Sequence, residues 1–110
     1  KAYQAKVAVA IAEMDETDAR LDAVDARANE LMSLLHRLTE RAVSALDVLE
    51  SEPFDAQVHA RRFQRALMLV MAVRDVAAAP VIDARSGEPT EQSANLIVKY
   101  RPMTEEPEDA

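Results

Sequence analysis

From Ala2 to Glu52 the chain contains neither glycine nor proline, and charged residues are interspersed with Ala, Leu and Val throughout. Glycine and proline are the residues that punctuate helices, so their absence over such a span predicts one long α-helix. The apolar residues within it recur with a period close to seven. Val7, Met14, Leu21, Ala28, Leu35, Ala42 and Leu49 form one row, and Ala10, Thr17, Val24, Leu31, Leu38 and Ala45 form the other. These rows are the a and d positions of a coiled-coil heptad sustained over about six repeats. Thr17 is polar, and four of the thirteen positions are Ala, so the seam permits close approach but buries little per layer. From Leu31 onward Met32, Leu34, Leu46 and Val48 widen the stripe. A narrow stripe suits one partner helix, and a wide one suits two neighbours in a bundle.

Pro53 should end this helix, because it has no N–H for the carbonyl of Leu49 and its ring clashes there. The same residues restart a helix: Pro is well tolerated in a first turn, and Ser51, Glu52 and Asp55 are candidate caps. A second helix is expected from about Phe54 to Ala79, ended by Pro80. Within it Ala66 to Val73 is apolar around the whole circumference, which predicts burial on all sides. Beyond Pro80, residues Val81 to Asn95 hold the only glycine, Gly87, together with Pro89 and several polar residues, and read as a linker. Leu96, Ile97, Val98, Lys99 and Tyr100 read as a short extended unit, and Thr104 to Ala110 as an acidic, disordered end. The expected fold is therefore all-α. Residues 1–80 form a long and a shorter helix in an antiparallel hairpin, and residues 81–110 form an irregular arm. With four aromatics and one glycine, an all-β sandwich or barrel is excluded. The absence of Cys excludes disulfide scaffolds and Cys-based zinc sites.

Size then bears on assembly. A helix of about 50 residues is roughly 75 Å long, whereas a compact domain of this length has a radius of gyration of about 13 Å. A second helix of about 26 residues covers only half of the first. The seam residues Val7, Met14, Leu21 and Val24 are left open, so either another chain covers them or the helix breaks near Asp15 to Asp18. The expectation is a homodimer, with Arg20 and Asp25 at g and the following e position available for interchain pairing. Leu96, Ile97, Val98 and Tyr100 are expected to dock, either on the open N-terminal half of the long helix or on an external protein.

The remaining constellations point away from chemistry. His59, Arg61, Arg62 and Arg65 form the one basic cluster, a candidate anion contact. Residues 1–52 carry a net −5, residues 53–79 a net +2 and residues 80–110 a net −4, within a total of −7. In such a chain, pairing of these arginines with the acidic first helix outweighs a nucleic-acid role. Glu13, Asp15, Glu16, Asp18, Asp22 and Asp25 lie mostly outside the a and d rows and read as a solvated face, and no E-x-x-H motif accompanies them. His36 has Glu40 as an i,i+4 partner and no second His nearby. No phosphate loop, nucleophile elbow or cofactor motif is present. Met14, Met32, Met68 and Met71 read as core filler rather than an adaptable binding surface.

The function expected is that of a non-enzymatic helical oligomerisation or protein-interaction module, without cofactor or metal. The alternative is a small acidic regulator, antitoxin-like or transcription-associated, whose C-terminal arm binds a protein target. The longest apolar run, Ala66 to Val73, is too short to span a bilayer, and the N-terminal Ala/Val stretch does not resemble a cleavable leader. The cytoplasm is the expected location. The chain begins with Lys1 rather than Met, which leaves room for an upstream piece.

Overall fold

The computed structural model describes residues 2–105. Among them are three α-helices: α1 (Ala2–Ser51), α2 (Ala56–Ala78) and α3 (Glu91–Glu105). The longest dimension is 80 Å and the other two are 20 and 17 Å. The radius of gyration, 21.1 Å, far exceeds the roughly 13 Å of a compact chain this long. The molecule is a rod with a packed body at one end.

α1 runs without interruption through Asp15 to Asp18, so the break considered there does not occur. Thr17 is accommodated by donating its hydroxyl to the carbonyl of Glu13 at 2.9 Å, a bond within the helix that needs no cap. α1 ends at Ser51, two residues before the proline. Asp55 then caps α2: its carboxylate accepts from the N–H groups of Gln57 and Val58, both at 3.1 Å. Asp55 thereby satisfies two of the four amide donors that a helix start leaves without partners.

α2 packs on the C-terminal half of α1, the half with the wide stripe. Their shared core contains Leu31, Leu34, Leu38 and Ala42 of α1 with Leu69, Ala72 and Val76 of α2. Leu38 and Ala72 are completely enclosed, and Ala42 and Ala66 are buried with them. The run Ala66 to Val73 does not have the all-round burial expected of it. Ala66, Leu69 and Ala72 are buried, whereas Leu67, Met68, Val70 and Met71 are exposed. One side of α2 faces the core, and its outward side remains apolar.

The C-terminal region differs most from expectation. Residues 96–100, rather than extended, lie inside α3, and the helix begins at Glu91 within the anticipated linker. The connection that remains is a tight, ordered turn. Ile82 pairs with Pro89 in an isolated antiparallel bridge, and the Asp83 carboxylate accepts from the N–H groups of Arg85 and Ser86. Gly87 supplies the positive φ of 70° that closes the turn. Thr90 starts α3, its hydroxyl oxygen accepting from the Ser93 N–H at 3.2 Å. Helix α3 continues through Pro102 to Glu105. The bond that Pro102 cannot donate would go to the carbonyl of Val98, on the exposed side of α3 where water can replace it. The acidic end from residue 106 lies outside the described residues.

Candidate interaction surface

Two kinds of surface come from one heptad stripe. From Val24 to Leu49 the a and d rows of α1 are covered by the chain's own α2 and α3. Val24 is 9% exposed and Leu38 fully buried. From residue 2 to residue 23 every position is exposed. The open stretch includes Val7, Met14 and Leu21, the last at 56%, and it extends to Tyr3, a d position that the sequence reading did not single out. Of the four residues assigned to a dimer seam, three therefore lie open, while Val24 belongs to the internal core. Arg20 pairs within its own helix with Glu16, at 4.0 Å.

The docking segment is covered, but not where expected. Ile97 and Tyr100 are buried and Leu96 is half-buried against the core formed by the wide-stripe half of α1 and by α2. The bare N-terminal half receives nothing. Val98 points away and is 75% exposed. Polar contacts fix the register of α3. The Arg27 guanidinium donates to the Thr90 carbonyl at 2.9 Å and to the hydroxyl of fully buried Ser93 at 2.8 Å. Arg101 pairs with Glu30 at 3.4 Å. The Tyr100 hydroxyl donates to the Asp75 carboxylate at 2.6 Å. That bond holds the Asp75 carboxyl below its usual range, with help from neighbouring Arg74 and Lys99. The same bond, reinforced by burial, pushes the Tyr100 phenol up. The bond requires an ionised carboxylate and a protonated phenol, so it favours each of those forms.

The basic cluster is divided among several roles. Arg62 forms an ion pair with Glu52, the residue just after α1. Arg61 and Arg65 line a shallow groove with Met68 and Met103. His59 lies against the Phe54 ring, with ring centroids 5.1 Å apart. His36 contacts Glu40 at 3.0 Å, as its i,i+4 spacing implies. Among the described residues no three His, Asp or Glu side chains converge on a point that could hold a metal ion, and no helix is long and apolar enough to cross a membrane.

Comparison of the chain with protein-family models, with curated proteins and with solved structures found no match. The physical surface therefore carries the functional argument.

Proposed function

We propose that this chain is a non-enzymatic oligomerisation and protein-interaction module, in which α1 and α2 form an antiparallel hairpin that associates with a second copy as a homodimer. The observation that supports this reading is the row Val7, Met14 and Leu21, set on a rigid helix and covered by no segment of the described chain. Surface area points the same way. A folded monomer of 12.1 kDa is expected to expose about 6,000 Å², and this chain exposes 8239 Å². The excess, roughly 2,000 Å² per chain, is what an obligate dimer interface consumes. The alternative regulator reading needs a C-terminal arm free to capture a target. With Ile97 and Tyr100 buried, the arm would first have to leave its own core.

Light scattering across a concentration series tests the proposal. The unmodified chain should have the mass of a dimer at tens of micromolar, and Leu21→Asp should shift it toward monomer while leaving helicity intact. A monomer for the unmodified chain at those concentrations overturns the reading.

A further inference from the structure

Resting on that homodimer reading, we infer that the dimer is antiparallel: the N-terminal half of α1 from one copy lies on a bare apolar face formed jointly by α1 and α2 of the other. The argument begins with the side that α3 takes. α3 meets α1 at Glu30 and Leu34, through Arg101 and Ile97, and it meets α2 at Asp75, through Tyr100. Helical positions advance by about 100° per residue. Val43, nine residues from Leu34, is therefore on the opposite side of α1. Val70, five residues from Asp75, and Phe63, one heptad before Val70, are displaced by about 140° and about 120° around α2. The two-helix layer thus has α3 on one side, and on the other an apolar face in which Val43, Leu46, Phe63 and Val70 are between 43% and 58% exposed.

Three properties identify a second copy as what covers this face. The first is length. The uncovered N-terminal stretch, residues 2–23, is about 33 Å long and α2, with 23 residues, about 35 Å at 1.5 Å per residue. Laid antiparallel, Val7 comes level with Leu46 of the second copy, Met14 with Thr39 and Leu21 with Met32. Because a two-fold contact is made twice, both orphan surfaces of both chains are used. The second is charge. Residues 2–23 carry Lys6 and Arg20 against five acids, net −3, while α2 as a whole carries four arginines against Asp75, net +3, of which Arg61 and Arg65 line the groove beside Met103 and Arg62 pairs with Glu52. The receiving segments, residues 28–51 and α2, sum to +1. A parallel pairing would instead set −3 beside −3. The third is occupancy. From Val24 onward the heptad seam is filled by the chain's own helices, so a parallel coiled coil would be limited to about three heptads and would leave the α1–α2 face bare in both copies.

The chain has no cysteine, so single-site labelling tests the geometry. Spin labels on Val7→Cys should lie about 60 Å apart in the antiparallel dimer, at 1.5 Å of rise per residue, measured by pulsed dipolar spectroscopy. Phe63→Glu, at a position already 58% exposed, should convert the dimer to a helical monomer. A dimer whose labels lie within about 20 Å, or one that survives Phe63→Glu, overturns this inference and leaves the homodimer standing. A chain that is monomeric without substitution overturns both.

Discussion

Replacing Ile97 by Ala asks whether α3 is a structural member of the body or an appendage. Ile97 is 5% exposed and packs into the core shared by α1 and α2. The substitution removes three carbon atoms. At about 0.8 kcal/mol per buried carbon, the lost transfer energy is about 2.4 kcal/mol. A residual cavity adds to this wherever neighbours cannot close in. Leu38 and Leu69 are held by two long helices, so collapse is incomplete and the expected cost is about 3 kcal/mol. That is a large fraction of the 5–15 kcal/mol typical of a whole domain. The internal control is the next residue. Val98 is 75% exposed, and Val98→Ala should change stability by less than about 0.5 kcal/mol, with Ala favoured by helix propensity.

Urea unfolding followed by circular dichroism at 222 nm, with all variants at one protein concentration, measures both. Ile97→Ala should lower the midpoint of urea unfolding, and in a thermal melt the drop should be on the order of 15 °C. Val98→Ala should superimpose on the parent. Equal effects at the two positions would refute the packing of α3, and so the assignment of one side of the α1–α2 layer to it. A separate early transition in Ile97→Ala alone would show that α3 unfolds independently of the core.

The Tyr100–Asp75 bond makes a pH-dependent contribution. Asp75 has a folded pKa below its unfolded value of 3.8, so its contribution is present above that value and is lost as pH falls through the folded pKa. Tyr100 has a folded pKa above its unfolded value of 10.0, so its contribution is present below that value and is lost as pH rises through the folded pKa. Tyr100→Phe should lower thermal stability on the plateau between these limits and flatten both flanks of a melting-temperature profile; a profile parallel to the parent's would show that the bond does not form in solution. Asp55→Ala removes the acceptor for two amides at the start of α2 and should cost about 1 kcal/mol by chemical denaturation, whereas Asp55→Asn should retain most of it.

How much of this was legible from sequence depends on what each signal encodes. The 50 residues of α1 were legible because the absence of Gly and Pro is a local property, and Asp55 was legible as a cap because capping is local too. The exposure of Val7, Met14 and Leu21 was legible because helix length and the reach of a second helix are simple arithmetic, whereas Val24 is covered by the chain's own core. The burial of Ala66 to Val73 was misread because hydrophobicity at Leu67 and Val70 records that a face is apolar, not that the same chain covers it. α3 is hidden in the sequence because Leu96, Ile97 and Val98 are three strand-favouring or apolar residues in succession, and Pro102 is a residue that ordinarily breaks a helix. A helical signal was nonetheless present: Leu96, Ile97, Tyr100 and Met103 follow the i, i+1, i+4, i+7 pattern of a helix face, with Thr90 as a possible cap and Glu91 in the first turn. The contact from Arg27 to Thr90 and Ser93 joins positions more than sixty residues apart, and nothing local announces it.

The position of α3 also bears on why the proposed assembly would stop at two. A layer of α1 and α2 with apolar residues on both sides could add copies on either side, and contacts of that kind extend into open arrays instead of closing. α3 covers the side that carries Leu34, with Ile97 seated there and Arg101 and Glu30 paired at the edge. On α1 the open apolar side is then that of Val43, while on α2 Phe63 and Val70 lie open on the same side and Met68 and Met71 keep partial exposure beside α3. The Val43–Phe63 face paired with the open N-terminal stripe, related by a two-fold axis, consumes each of these two surfaces once per chain. In the proposed dimer the C-terminal segment would help set which face is left for association. Loosening it through Ile97→Ala should therefore produce species larger than a dimer at high protein concentration, before the helices themselves are lost.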